Sequence, residues 1–368
     1  MGCGASTGQK YQANATGSGP AASMSMSMKD ALAVAQTWAA AVEYPSAEAV
    51  TSRIQADGGP GKTILLAEAW HDGQIGDAVK AIQAKREATQ NSSTPLSLVL
   101  IAGPSSSGKT TFCAKLSMHL RCAGIKPETL STDDYFLARA DERHPRDEKG
   151  QLNFECVEAV DVDKLNADMK RLFAGETVET PIFNFVNGAP EPSKTRAKKL
   201  AKGGVLVMEG IFCLNPKLTP HIHGDAKFGI FIAPMSPLRI TNGSDLREDY
   251  VRLVRRISRD FLHRGNSAIH TLKKYESVRK GEQINIFPFV SSAEFIYNSS
   301  LIYELNVLKT KVKPLLEQIS EEEASQAQVS ELRNAILALL ESFEGTEANE
   351  VPNTSVLMEF IGTSVFEE

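Results

Sequence analysis

The sequence has few cysteines, no long hydrophobic run and no excess of positive charge, and each absence excludes a class of protein. Four of its five cysteines, Cys113, Cys122, Cys156 and Cys213, are dispersed without a C-x-x-C pair. No secretory signal is visible, so we expect reduced intracellular thiols rather than a disulfide framework or a zinc site. No apolar run approaches the length of a transmembrane helix. The formal net charge of −5 gives no general argument for nucleic-acid binding, and no nucleic-acid partner is expected.

A glycine- and serine-rich segment between two regular elements is the most informative motif that is present. Residues 103–110 spell G-P-S-S-S-G-K-T, after the apolar run Leu98–Ala102 and before a predicted helix. Strand, G-x-x-x-x-G-K-T and helix is the context of a phosphate-binding loop, whose backbone N–H groups surround a polyphosphate. Lys109 would reach the β- and γ-phosphates, and the Thr110 hydroxyl would hold Mg²⁺. The predicted nucleotide-binding residues are Gly103, Ser105, Ser106, Ser107, Gly108, Lys109, Thr110 and Thr111.

One alternative structure and one similar run have to be considered beside this interpretation. The motif can also be a plain turn between a strand and a helix, although both its spacing and its flanks fit the phosphate loop. The similar run at residues 58–63, G-G-P-G-K-T, lacks the four-residue spacer and a preceding apolar strand, so it is predicted to be a loop.

Further predicted strands follow the phosphate loop at residues 129–131, 205–208 and 228–232, separated by helical patterns. This alternation predicts an α/β fold of the phosphate-loop NTPase type, with a mainly parallel sheet and helices on both faces. At 42% hydrophobic residues, a chain of 368 residues can bury a sizeable core.

Carboxylates follow two of the predicted strands. Glu209 ends an apolar strand at the Walker-B position, where it would act on Mg²⁺ directly or through water. Asp133 and Asp134 follow the strand at residues 129–131, whose end lies beside the phosphate loop in such sheets. One of them can accept the proton of an attacking hydroxyl, and we favour Asp133 because it comes first after the strand. An Asx-type helix cap is the alternative.

A basic helix is predicted over residues 245–264. Arg252, Arg255, Arg256 and Arg259 follow the spacing i, i+3, i+4 and i+7, which places them on one face, and Arg264 comes shortly after them. Guanidinium groups without matching acids on that face would attract an anion. We therefore expect an arginine-rich helical lid over the transferring phosphate. A nucleic-acid-binding face and a solvated face without a role are the alternatives.

Together these segments resemble the uridine kinase/phosphoribulokinase family of phosphate-loop kinases. The resemblance covers about residues 95–368 and includes P-I-F-N-F at residues 181–185 and the tail at residues 351–362. It is strongest to bacterial uridine kinase-like proteins that often carry a TGS-type domain and a tRNA-synthetase-like domain in front. Residues 1–94 are too short for both of those domains.

The resemblance implies ATP- and Mg²⁺-dependent phosphorylation of a hydroxyl on a small molecule. Its implied catalytic residues are Lys109, Asp133, Glu209, Arg255 and Arg259; Arg252, Arg256 and Arg264 would serve the nucleotide; and Asp133, Phe183, Asn184 and Phe185 would line the acceptor site. True uridine kinases have the pattern P-x-Y-D-F-x-x-H in this segment. This chain has Phe183 at the position of the tyrosine and Gly188 at the position of the histidine. The acceptor is therefore a nucleoside similar to uridine or cytidine, or else a sugar, sugar phosphate or polyol. A non-catalytic nucleotide-binding membrane scaffold is the alternative from another class.

The expected organisation has four parts. Residues 1–29 form a flexible tail, 30–94 a small, mainly helical region, 95–320 the kinase domain and 321–368 a C-terminal helical extension.

The tail begins with M-G-C-G-A-S, which fits the N-myristoylation pattern with Gly2 as the acceptor. Because one acyl chain gives only reversible membrane binding, a palmitoyl group on Cys3 would supply the second signal. For a eukaryotic source we thus expect a cytoplasmic protein tethered to the cytosolic face of a membrane.

Overall fold

The computed structural model describes residues 26–240, 243–324, 326–362 and 364–366. Gly2 and Cys3, the predicted acylation residues, lie outside the described residues. The helices are α1 (Met28–Ala41), α2 (Ala47–Ala56), α3 (Gly61–Thr89), α4 (Lys109–Cys122), α5 (Val162–Phe173), α6 (Glu248–Arg264), α7 (Ala268–Asn285), α8 (Glu304–Glu317), α9 (Ala327–Glu341) and α10 (Met358–Ile361). The strands are β1 (Leu98–Ala102), β2 (Pro127–Ser131), β3 (Thr177–Thr180), β4 (Phe183–Asn184), β5 (Ala189–Pro190), β6 (Arg196–Lys199), β7 (Val205–Glu209), β8 (Lys227–Ala233) and β9 (Phe295–Asn298).

The central sheet has five parallel strands in the order β2-β7-β1-β8-β9. After β1 the chain adds strands first on one side of it and then on the other. Such a reversal beside β1 creates a crevice at the carboxyl ends of the strands, where ligands bind in open α/β sheets. The predicted mainly parallel α/β sheet is confirmed, and the phosphate loop lies at its switch point.

Both faces of the sheet are covered by helices. Along β1, Leu98 and Leu100 pack into one core while Val99 and Ile101 pack into another, because successive side chains of a strand point to opposite faces. The first core includes α5, and the second includes α3 and α4. The strand residues are nearly all buried, as a parallel sheet between two helical layers requires.

Helices α1 to α3 are packed onto the body of the protein. Helix α3 contributes Ile75, Ala78 and Ile82 to the core beneath β1 and α4, and α1 contacts β9. Ser27 is the N-cap of α1, and Asp30 closes a capping box with it. The run at residues 58–63 is predicted to be a loop, but only residues 58–60 form a turn, and residues 61–63 begin α3; the element before the run is the helix α2 and not a strand.

A second, helical core lies beside the sheet. Helices α6 to α9 form it together with α2 and the C-terminal segment, and its buried residues include Val254, Leu308 and Phe360. Within the described ranges, no helix combines the length and the hydrophobicity needed to cross a membrane.

Candidate active site

The loop between β1 and α4 has the backbone of an anion-binding turn. Ser106 has φ +62° and Gly108 has φ +88°, both in the left-handed region, and α4 begins at Lys109. A side chain on Gly108 would meet Val356 Cγ1 at 2.6 Å, so glycine is required there both by conformation and by space. The loop and the N-terminus of α4 thus direct N–H groups to one point.

The loop fits a bound polyphosphate. The hydroxyl oxygens of Ser106 and Ser107 are buried and have no hydrogen-bond partner within the described part of the chain. Buried hydroxyl groups normally find partners, so these two are available to a ligand. Gly103 allows close packing as well, because a Cβ there would collide with the Ile232 carbonyl oxygen.

Lys109 lies inside this loop with its Nζ donating to the Pro104 carbonyl oxygen at 3.2 Å. Burial lowers the pKa of Lys109, and the carboxylates of Glu209 and Asp133 oppose that shift. A buried ammonium group with one neutral hydrogen-bond partner keeps two donors for an incoming phosphate.

Glu209 reaches the site because of the register of the sheet. It pairs with Ser131 of β2 on one side and with Ile101 of β1 on the other. The Ser131 hydroxyl donates to Glu209 Oε1 at 2.5 Å. Burial, and after it the charge of Asp133, raises the pKa of Glu209 to about 7.

Asp133 and Asp134 share a short 3₁₀ turn after β2 but have different surroundings. Asp133 Oδ1 is buried without a hydrogen-bond partner among the residues described. Asp134 Oδ1 accepts from the Phe183 backbone N–H at 3.1 Å, and its other oxygen lies 3.5 Å from Arg196. Asp134 is thus engaged in structure, and the geometry favours Asp133 as the carboxylate available to a substrate.

The same side chains fit a hydrated magnesium ion. No group of three or more His, Cys, Asp or Glu residues that could hold a metal occurs in the ranges given above. Mg²⁺ usually binds to one or two protein oxygens, substrate phosphates and waters, so it needs no such group. Thr110, which is exposed at the start of α4, and Glu209 are the residues that would hold it.

Helix α6 lies against the phosphate loop, but the expectation that its arginines lack matching acids is wrong. Arg252 makes a bidentate ion pair with Glu282, in which its Nη1 and Nη2 donate to the two carboxylate oxygens at 2.5 and 2.8 Å. It also donates to the Ser105 carbonyl oxygen. Arg255 is fully buried and donates to Glu304 at 2.6 Å. These acids belong to α7 and α8, so the spacing within α6 could not reveal them.

The remaining arginines of this group surround the carboxylate of Asp260, and Arg259 also pairs with Glu359. Asp260 lies 3.3 Å from Arg256, 3.3 Å from Arg264 and 3.9 Å from Arg259. The charge of Arg259, followed by burial, lowers the pKa of Arg264 to about 10. Three guanidinium groups beside the two carboxylates of Asp260 and Glu359 leave an excess of positive charge beside the loop, which favours a bound anion.

The predicted acceptor residues lie on the hairpin formed by β4 and β5. Phe183 is buried and packs against Phe136 and Phe185, whose ring is partly exposed under the Arg264 guanidinium. Asn184 is held by its own hairpin: its amide donates to Glu191, and its Oδ1 accepts from two backbone N–H groups. The aromatic rings therefore offer contact surface, while Asn184 shapes the turn.

The position where uridine kinases carry a histidine is filled by another side chain. Gly188 has φ +69°, and a Cβ there would collide with the Arg139 guanidinium. Arg139 also donates to the Phe185 carbonyl oxygen at 3.2 Å. A cation therefore borders the acceptor hairpin beside Gly188.

Two carboxylates near the site were not singled out from the sequence. Glu155 is in the loop before α5, and burial raises its pKa to about 7. Glu359, in α10, is paired with Arg259. Nothing in the local pattern of either residue identifies it, because the charged groups that surround it are distant in the chain.

The comparisons with known proteins agree with this geometry. The model of the phosphoribulokinase/uridine kinase family matches residues 98–301. A uridine kinase from Mycoplasma genitalium is 30% identical over 184 residues, which cover 49% of this chain and 74% of that protein. A uridine kinase from Chlamydia pneumoniae is 26% identical over 63% of this chain and 96% of that protein. Among solved structures, a possible uridine kinase from Bacillus stearothermophilus is 25% identical to this chain. The match covers 42% of this chain and 80% of that chain, with a TM-score of 0.31.

Proposed function

This chain belongs to the phosphoribulokinase/uridine kinase family, and from that premise we propose that it transfers the γ-phosphate of ATP to a hydroxyl group of a nucleoside similar to uridine or cytidine. One observation carries the proposal. The phosphate loop with Lys109 follows β1, Asp133 follows β2, and both of these strands pair with β7, which ends at Glu209. A phosphate-binding ammonium, a candidate base and a metal-binding acid therefore converge on one end of the sheet.

The phosphate loop would bind and orient the triphosphate. Its backbone N–H groups and the hydroxyls of Ser106 and Ser107 would contact the β- and γ-phosphates, with Lys109 between them. Charge moves onto these oxygens in the transition state, so fixed donors in a buried site stabilise it more than they stabilise the bound substrate. Arg259 would add a guanidinium from the opposite side, because its Nη2 already lies 3.1 Å from Ser105 Oγ.

Asp133 would act on the acceptor. The hydroxyl oxygen of the acceptor attacks the γ-phosphorus, the bond from that phosphorus to the β–γ bridging oxygen breaks, and ADP leaves. The hydroxyl proton passes to Asp133, whose unpartnered Oδ1 is free to receive it. Bound Mg²⁺ would neutralise negative charge on the phosphate oxygens. Thr110 and Glu209 are the residues placed to hold it.

A second acceptor class is favoured by the charge around the acceptor hairpin. Arg139 fills the space beside Gly188, and the Arg264 guanidinium lies 4.8 Å from the ring centroid of Phe185. Cations beside an aromatic surface suit an acceptor that carries an anionic group, such as a sugar phosphate. Sugars and polyols belong to the same alternative.

The test is a panel of nucleosides, sugars, sugar phosphates and polyols, scored by acceptor-dependent ADP release and by the mass of the product. We expect uridine or cytidine to give the highest kcat/KM. A sugar phosphate in that place would select the second class. Nucleotide binding without turnover on any acceptor would favour a non-catalytic scaffold and refute the proposed kinase activity.

We also propose that the protein is attached to the cytosolic face of a membrane by acyl groups on Gly2 and Cys3. The sequence pattern alone supports this attachment. It uses none of the residues proposed for the kinase chemistry, because its acceptors are Gly2 and Cys3.

A further inference from the structure

The C-terminal segment, residues 351–362, returns to the active site and packs on the phosphate loop. It lies beyond residues 98–301, where the family model matches. Val356 fills the space beside the missing side chain of Gly108. The side chains of Val356, Leu357 and Phe360 are at most 1% exposed, so the segment is packed into the core of the protein.

Helix α6 holds the same segment from the other side. The Ser258 hydroxyl donates to the Phe360 carbonyl oxygen at 2.5 Å. The guanidinium of Arg255 lies 5.1 Å from the centroid of the Phe360 ring and also donates to the Ser106 carbonyl oxygen at 3.5 Å. The segment, α6 and the phosphate loop therefore share one contact region.

Glu359 places a negative charge in this region. Arg259 donates to Glu359 Oε1 at 3.4 Å through one nitrogen and to Ser105 Oγ at 3.1 Å through another. The second oxygen of Glu359 is buried, and no described residue donates to it. The charge of Glu359 also acts on Lys109, which belongs to the loop itself.

A carboxylate in this place has two opposite effects on a nucleotide. It fixes the direction of the Arg259 guanidinium, which otherwise has several rotamers available on its long side chain. It also repels the phosphates and offsets part of the positive charge of Lys109 and Arg259. A residue that served affinity alone would not be acidic, so the orienting effect is the one that can benefit catalysis.

We propose that Glu359 is a positioning residue that holds Arg259 over the phosphate loop, and that residues 351–362 are thereby a working part of the catalytic centre. This inference rests on the proposed kinase function. It predicts that removal of the Glu359 charge lowers the rate of phosphoryl transfer without weakening ATP binding.

The experiment compares Glu359→Gln with wild type and with Glu347→Gln, a control at an exposed position shortly before the segment. Glu359→Gln should lower kcat by about tenfold to a hundredfold, since displacement of a catalytic group by about 1 Å can have such an effect. Its ATP dissociation constant should be unchanged or smaller, because a repulsive charge is gone. Its free energy of unfolding and all properties of Glu347→Gln should stay close to wild type.

A double-mutant cycle separates positioning from packing. In an Arg259→Ala background, Glu359→Gln should cause no further loss of kcat, because the side chain that it positions is absent. Three results would each overturn the proposal. The losses of kcat in the two single variants could add in the double variant, or Glu359→Gln could leave kcat unchanged. Glu359→Gln could also bind ATP more weakly and be less stable than wild type.

The two proposals can fail separately. If wild type phosphorylates its acceptor and Glu359→Gln does so with the same kcat, the inference fails and the proposed kinase function stands. Wild type that phosphorylates no acceptor would remove the kinase function. The inference would fall with it, because Glu359 is proposed to position Arg259 for that transfer.

Discussion

Lys109 is a buried cation at the centre of the phosphate loop, with one hydrogen bond to a loop carbonyl. Lys109→Ala should lower kcat by at least about 10²–10³-fold, the loss seen when one donor to a developing charge is removed. The fold should persist, because the lysine contributes charge rather than apolar packing. Turnover measured beside the circular dichroism spectrum and the melting temperature checks this. Activity within about tenfold of wild type would contradict the role given to the loop.

The two neighbouring aspartates should respond differently to the same change. Asp133→Asn should lower kcat by about 10²–10⁴-fold, the range of general acid–base catalysis, and retain ATP binding. Asp134→Asn is the matched control, and it should act mainly on stability because Asp134 holds the acceptor hairpin through Phe183. If Asp134→Asn is the inactive variant and Asp133→Asn is active, the assignment of the base is wrong.

The raised pKa of Glu209 should make the stability of the nucleotide-free protein depend on pH. Its pKa is raised from 4.5 to about 7 by burial and by Asp133, so the folded state keeps a proton that the unfolded state has released. The contribution of Glu209 to stability therefore falls as the pH rises from about 4.5 to about 7. Glu209→Gln should flatten this part of the profile, as measured by urea unfolding at a series of pH values.

The comparison between wild type and Glu209→Gln matters because Glu155 also has its pKa raised to about 7 and contributes with the same sign. Glu155 is present in both proteins, so only the difference between the two profiles reports on Glu209. Parallel profiles for the two proteins would show that Glu209 titrates at its ordinary pKa.

At the scale of elements, α3 is part of the core that supports the phosphate loop. Ile82 is fully buried among residues that include Phe112 of α4 and Val99 of β1. Ile82→Ala should lower the free energy of unfolding by about 2–5 kcal/mol, the usual loss for such a change in a core. Leu65→Ala, at a position of the same helix that is 67% exposed, should have little effect. Equal effects in denaturant unfolding would mean that α3 is not packed as described.

The elements that carry the phosphate chemistry could be predicted from the sequence, because their signals are local. The strand β1, the glycine-rich loop and the acid at the end of β7 each follow from consecutive residues. Other elements lacked such a signal: β9 has four residues, and α7 has no clear apolar stripe. Glu248 pairs with Arg252 within α6, but the acids Glu282 and Glu304 that also pair with Arg252 and Arg255 come from α7 and α8, and only the tertiary fold brings those together.

At the scale of the whole molecule, membrane attachment and catalysis should be separable. In a eukaryotic cell, Gly2→Ala should move the protein wholly to the soluble fraction, because it removes the myristoyl acceptor. Cys3→Ser should leave weak, exchangeable membrane binding, since one acyl chain holds only reversibly. Phosphorylation of a soluble acceptor by either variant should equal that of wild type. Fractionation of both variants and wild type checks this, and a wild-type protein that is entirely soluble would refute the anchor.

The whole molecule also explains why part of the site escaped prediction. Glu359 and Arg259 are 100 residues apart, and Arg259 and Ser105 are 154 residues apart. The first contact depends on the return of the C-terminal segment to α6, and the second depends on the packing of α6 against the phosphate loop. No spacing rule within a helix or a strand can express a contact of that kind.

The central claim is that this chain transfers the γ-phosphate of ATP to a hydroxyl group through the phosphate loop. The most direct measurement follows the label of [γ-³²P]ATP in the presence of Mg²⁺ and a pool of nucleosides, sugars, sugar phosphates and polyols. We expect wild type to place the label in an organic phosphate ester and Lys109→Ala not to do so. Label found only in ATP or free phosphate with wild type, or equal ester formation by both proteins, would contradict it.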